Sequence, residues 1–127
     1  MKKKKRNKGF TLVELMVVMA VVGILAGLTL TAFFGARKTA RDGQRKADLE
    51  QIRSALEMYR TDEGSYPTTP ASLSGYIELP SDPVAGRSYY YNKSGDTYEL
   101  CAALEIPGGD SCGGSCGVTC NHKVRNP

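Results

Sequence analysis

The chain has 127 residues, 41% of them hydrophobic, and a formal net charge of +4. That length admits one domain with, at most, an appended segment. Lys2, Lys3, Lys4, Lys5, Arg6 and Lys8 precede Gly9, and outside them 11 Lys plus Arg face 13 Asp plus Glu, a net −2, so bulk charge gives no support for a nucleic-acid surface on the body.

In chain order, the basic cluster leads into an apolar run. Leu15 to Ala36 carry no charged residue. As a helix this stretch measures roughly 33 Å, enough for a hydrocarbon core of about 30 Å. A leading basic cluster holds an N-terminus in the cytoplasm, although Arg37, Lys38, Arg41, Arg45 and Lys46 at the other end weaken that vote. A secretory signal has an apolar region of only about 7–15 residues and a small-x-small cleavage site. Here the run is longer and Leu30-Thr31-Ala32 is a poor version of that site. An ordinary anchor explains the length but not Glu14. An ionised carboxylate in hydrocarbon costs about 2.5–3.5 kcal/mol on insertion scales. No cationic side chain lies between Gly9 and Arg37 to relieve it. A cut after Gly9 would place a new α-amino group on Phe10, one helical turn from Glu14. The same amine on a neighbouring copy would be a partner for Glu14 as two helices come into register.

The basic leader, Gly9 and the string Phe10-Thr11-Leu12-Val13-Glu14-Leu15 resemble the prepilin signal of the type IV pilin and pseudopilin superfamily. The resemblance implies that a membrane aspartic peptidase cuts after Gly9 on the cytoplasmic side and N-methylates Phe10. It also implies that Glu14 serves assembly by charge pairing.

The helical pattern continues beyond the apolar run. No proline interrupts Phe10 to Gly64, and Gly64 followed by Ser65-Tyr66-Pro67 suits a helix end. A continuous helix to about Glu63 would be roughly 80 Å long. Leu49, Ile52, Leu56 and Tyr59 share one face, expected to contact the chain's own C-terminal domain. Asp48, Glu50, Arg53, Glu57 and Arg60 are expected mostly on other faces, with Glu57 within reach of Arg53 and Arg60. Gly23 and Gly27 form a G-x-x-x-G spacing that permits close helix approach in lipid. Thr31 stands where many members of the superfamily have proline.

Residues 65–127 are loop-rich. Tyr89–Tyr91 and Thr97–Leu104 are predicted to form a β-hairpin around a turn at Asn92–Asp96, with Tyr98, Leu100, Ala102 and Leu104 on one face. So small a body buries little surface alone, and the helix and any disulfides complete its core. Asp62-Glu63-Gly64-Ser65-Tyr66-Pro67, Leu79-Pro80-Ser81-Asp82-Pro83 and the Tyr-rich hairpin resemble the small domain of major pseudopilins of type II secretion. The stretch from Pro107 departs from that pattern. Major pseudopilins often bind calcium in a late loop, whereas "PGGDSCGGSCGVTC" offers only Asp110 as a carboxylate, and no metal is assigned. Cys101, Cys112, Cys116 and Cys120 are read as two disulfides rather than a zinc or cluster site, because an exported Gly-rich segment favours oxidised sulfur. Their pairing stays open among three possibilities.

His122 is the one histidine and is expected in a solvated tail; with it alone no nucleophile–base pair can be assembled, so no catalytic residue and no cofactor are assigned. Residues 65–127 hold four basic against six acidic side chains, and the tyrosines there are expected to pack rather than to stack on bases.

The expected fold is α+β: a long N-terminal helix, membrane-spanning then amphipathic, on a small antiparallel sheet. The expected divisions are a leader at 1–9, an assembly half at 10–36, an amphipathic half at 37–64 and a β domain at 65–127. The expected function is that of a structural filament subunit, a type IV pilin or a major pseudopilin of type II secretion, with a competence pilus also open. The resemblance implies a prepilin peptidase, further copies, minor pilins or pseudopilins and an inner-membrane assembly platform as partners, with lipid holding the helix before assembly and no nucleic acid. It also implies a single-pass inner-membrane location, N-terminus in the cytoplasm, followed by a filament. The alternative is a bitopic protein that displays a disulfide-bonded binding module and does not polymerise.

Overall fold

The structure is a computed structural model that describes residues 9–126; the basic leader expected over Lys2–Lys8 lies outside the described residues. Its elements are α1 (Leu12–Glu63), a 3₁₀ helix (Pro70–Gly75), β1 (Tyr90–Ser94), β2 (Thr97–Ala102) and β3 (His122–Arg125). This is an α+β fold. The chain divides into two compact units between Ala36 and Arg37, and α1 supplies residues to both.

In the second unit α1 ends where Gly64, at φ 75, donates its N–H to the Arg60 carbonyl at 2.9 Å. That left-handed cap satisfies an end carbonyl and turns the chain away from the helix. The expected stripe is buried: Leu49, Ile52 and Leu56 join Ala55, Tyr66, Leu73, Tyr98, Leu100 and Ala102 in one core, with Tyr59 against it. Each large apolar side chain so covered contributes about 1.5–3 kcal/mol. Polar tips of the aromatic residues find partners at the rim. Tyr66 donates to Glu57 at 2.9 Å and accepts from Arg60 at 3.0 Å. Glu57 therefore serves two tyrosines, Tyr66 and Tyr98, instead of pairing with Arg53 as its spacing suggested. Arg53 faces Glu50.

The sheet is antiparallel in the order β1-β2-β3. The hairpin forms, with a shorter turn than expected: Ser94 pairs with Thr97, so only Gly95 and Asp96 lie outside the ladder. Two-residue loops match the twist of paired strands best, and a glycine at the first position makes one accessible here. Tyr98, Leu100, Ala102 and Leu104 are buried as expected. Cys101 and Ala103, which point the other way, are buried too, in a second core with Cys116 and Cys120. The third strand was not predicted. His122 belongs to it, opposite Ala102, instead of to a solvated tail.

Asp48 is likewise buried, contrary to the helical-wheel expectation, and accepts the Tyr89 hydroxyl at 2.5 Å. Burial, reinforced by that carboxylate, pushes the Tyr89 hydroxyl pKa well up.

Arg45 has a fully buried side chain. Its guanidinium grips Asp82 in a fork, with Nε to Oδ2 at 2.7 Å and Nη2 to Oδ1 at 2.9 Å. Nη1 meets Asp42 at 2.8 Å and Glu105 at 3.3 Å. Asp42 in turn accepts the backbone N–H groups of Glu105 and Ile106, both at 2.8 Å. Arg41 grips both oxygens of Glu105 at 2.5 and 2.6 Å. One turn of α1 thus holds the 82–84 loop and the stretch after β2. Hydrogen bonding from Arg41, helped by Arg45, lowers the Glu105 carboxyl to about 2 against the opposing push of burial. Burial raises Asp42 and Asp82, but their N–H and guanidinium donors outweigh it and leave both below the usual carboxylate range.

Two outcomes follow from this cluster. Arg45→Ala leaves Asp82 and Asp42 buried without their cation and costs about 3–5 kcal/mol in denaturant unfolding of the second unit. Arg45→Lys recovers only part, because an ammonium lacks the fork. The carboxylate pKa values are depressed on folding, so their contribution is complete above the ordinary Glu value of 4.5 and drains as pH falls towards about 2. Unfolding free energy measured against pH should be level from neutrality to about pH 5 and then decline.

Candidate functional site

The first unit presents the candidate assembly segment. Gly9 and Phe10 precede α1, and Phe10 is 83% exposed. Thr11 accepts the Glu14 N–H on its hydroxyl at 3.2 Å, and its carbonyl accepts the Leu15 N–H at 3.2 Å. Thr11 is therefore the residue that caps α1, a role the sequence reading missed although Thr11-Leu12-Val13-Glu14 carries the T-x-x-E capping pattern. Glu14 sits in the first turn. There the unpaired N–H groups of the helix end favour a negative charge, which gives the carboxylate a local reason to be present in addition to any partner.

From Phe10 to Ala36, every side chain whose exposure is described is exposed, Val13, Leu15, Met16, Val22, Leu25 and Phe34 among them. α1 is long and apolar enough to cross a membrane by length and composition. The Thr29 hydroxyl donates back to the Leu25 carbonyl at 2.5 Å, so it asks nothing of its surroundings. A Cβ placed on Gly23 or Gly27 would meet nothing within 4 Å.

The second feature is the stretch after β2. Cys101 is bonded to Cys112 and Cys116 to Cys120, one pairing of the three left open by the sequence. The calcium expected of major pseudopilins does not fit here. Glu105 is held by Arg41 and Arg45, and Glu99 by Lys123 and the Gly113 N–H. Asp110 accepts the Lys123 N–H at 3.2 Å and lies 3.6 Å from His122 Nδ1. Among the described residues no group of three His, Cys, Asp or Glu converges as metal ligands. A calcium ion needs six to eight oxygens, mostly from carboxylates and carbonyls converging on one point.

Comparison with known proteins matches two parts of the chain to families. Residues 4–30 match the prokaryotic N-terminal methylation motif, and residues 32–115 match the protein G family of the type II secretion system. The type II secretion system core protein G of Dickeya chrysanthemi is 35% identical over 85 residues, 67% of this chain and 56% of that protein. Its counterpart in Aeromonas hydrophila is 37% identical over 86 residues, 68% of this chain and 60% of that one. The Escherichia coli K12 protein of the same name is 36% identical over 90 residues, 71% and 61% respectively. The matched stretch is thus less than two thirds of each relative's length. With most of its length matched by one family model and the methylation motif ahead of it, this chain belongs to the type II secretion system protein G family.

Proposed function

We propose that the chain is a structural subunit and not an enzyme: a prepilin cut between Gly9 and Phe10, N-methylated on Phe10 and polymerised through α1 into the pseudopilus of a type II secretion system. The observation that carries this reading is the uncovered apolar surface of residues 10–36, headed by Gly9-Phe10-Thr11-Leu12-Val13-Glu14. In this reading residues 1–9 are the leader, 10–36 the anchor and then the filament core, 37–64 the amphipathic half of the helix, and 65–127 the domain displayed outside.

The chemistry follows from two requirements. A helix that is apolar on all sides must sit in lipid or among other such helices. The inner membrane supplies the first cover and a bundle of identical helices the second, so transfer between them costs little hydrophobic free energy. Register then needs a polar determinant. Peptidase cleavage creates the Phe10 amine, and Glu14 of an incoming copy neutralises the amine of a neighbour. The charge pair is satisfied at one axial offset and left unpaired at others, which is what sets the stagger. The peptidase, minor pseudopilins and an inner-membrane platform are the partners this process needs.

N-terminal sequencing and mass spectrometry of the protein from the host's membrane and sheared filament fractions should find N-methyl-Phe10 as the first residue, enriched among filaments. An intact leader confined to membranes would sink the reading in favour of a non-polymerising anchor. Glu14→Leu should still be cleaved, while filament yield falls by roughly tenfold or more, since the unpaired amine is left in an apolar bundle. Normal filaments from that variant would refute the pairing role.

A further inference from the structure

The stretch from Pro107 to Asn121 has almost no conventional core. Its buried side chains are Cys116 and Cys120, with Cys112 half-buried, and its one aliphatic residue, Val118, is 45% exposed. These sulfurs pack with Cys101 and Ala103 of the sheet side and with Tyr90. The backbone comes so close that a Cβ on Gly114 would fall 2.0 Å from the Tyr90 ring. Further on, β3 pairs with β2 from Ala102↔His122 to Glu99↔Arg125. Cys101 sits in the middle strand, opposite Tyr90 on one side and Lys123 on the other, and its bond to Cys112 ties the intervening stretch to β2.

We infer that oxidation of these four cysteines completes the globular unit: a redox staple, and not a metal ion, docks residues 107–121 and holds β3 on the sheet. As thiols, the four sulfurs form no covalent tie, and the 107–121 stretch has only the exposed Pro107 and Val118 as other apolar side chains. Cys101 lies in the hairpin, but the core that packs the hairpin against α1 uses none of the four sulfurs, since Leu49, Ile52, Leu56, Tyr66, Leu73, Tyr98, Leu100 and Ala102 form a separate cluster. The reduced chain therefore keeps the first core and loses the second, leaving the outer edge of β2 unpaired.

The partner this chemistry requires is a thiol–disulfide oxidoreductase of an oxidising compartment. A cysteine thiolate of the chain attacks the oxidoreductase's disulfide and displaces one of its sulfurs as thiolate, forming a mixed disulfide. A second cysteine thiolate of the chain attacks the chain-side sulfur, and the enzyme leaves as a dithiol. Each bond thus takes two electrons and two protons from the chain. In the folded protein Cys112 is the only one of the four sulfur-bearing residues that is not buried, so it is the point at which exchange enters. That oxidation comes after export and before polymerisation rests on the filament-subunit reading; the staple itself does not.

Amide hydrogen exchange followed by mass spectrometry on the purified full-length protein in detergent tests it. Four states are compared: oxidised, oxidised with EDTA, reduced and alkylated, and reduced with added calcium. Reduction should speed exchange at least about tenfold in peptides covering 97–104 and 107–125, leave 45–63 protected, and not be reversed by calcium, while EDTA alone changes nothing. Cys101→Ser with Cys112→Ser should reproduce the reduced pattern, and if that variant does not accumulate, reduction of the intact protein decides. Unchanged protection after reduction would overturn the staple. So would release by EDTA, which would put a metal in its place, or loss of protection across 45–63, which would make the bonds global. An uncleaved leader in the host would sink the filament reading and leave these measurements standing.

Discussion

A guanidinium without solvent exposure is stable only when its positive charge and its N–H groups are met from within the protein. Arg45 meets that condition through Asp82, Asp42 and Glu105, which arrive from a loop, from α1 and from the chain just past β2. Desolvating these charges costs several kcal/mol per ion, and the fork geometry with Asp82 is what offsets it. The consequence is positional. Once Arg45 is buried, the 82–84 loop and residues 105–106 have one place to be, because any other leaves a carboxylate or an N–H unpaired. The apolar core beside it supplies most of the stability, while this cluster selects the arrangement.

The same helix has opposite relations with its surroundings along its length. Around Leu49, Ile52 and Leu56 it is amphipathic and its apolar stripe is satisfied inside the chain. Before Ala36 it is apolar all round and its surface is exposed. One half thus belongs to a folded domain, and the other carries an exposed apolar surface. Thr11 and Glu14 mark where that second half begins, with a cap and a carboxylate placed at the positive end of the helix.

The stretch between β2 and β3 shows how a short, glycine-rich segment is held with very little hydrophobic surface. It lacks a set of converging carboxylates of the kind that would recruit calcium: Glu105 is held by Arg41 and Arg45, and Asp110 accepts the Lys123 N–H beside His122. Two disulfides, Cys101–Cys112 and Cys116–Cys120, tie it covalently. By closing loops they remove freedom from the unfolded chain, an effect that for loops of about 15 residues is on the order of 3 kcal/mol.

Several features were legible from residue order because they depend on local periodicity or composition. The apolar run, the Leu49/Ile52/Leu56 stripe, the helix end at Gly64 and the alternation at Tyr98, Leu100 and Ala102 need nothing beyond neighbours in sequence to be recognised. The Phe10-to-Leu15 string and the two loop motifs pointed to the family for the same reason. Three-dimensional packing decided the rest. Asp42, Arg45 and Asp48 look like solvated helix charges until residues 37 to 64 positions away close over them. β3 is four residues with one aliphatic side chain, too weak a signal alone, and it becomes a strand only because β2 offers an edge. Which cysteine meets which depends on where β2 and the loop past it bring the sulfurs, a matter of distance in space. The sequence by itself determined what each segment can do locally; tertiary contact decided which charges and sulfurs lose their water, because burial is a property of the whole fold.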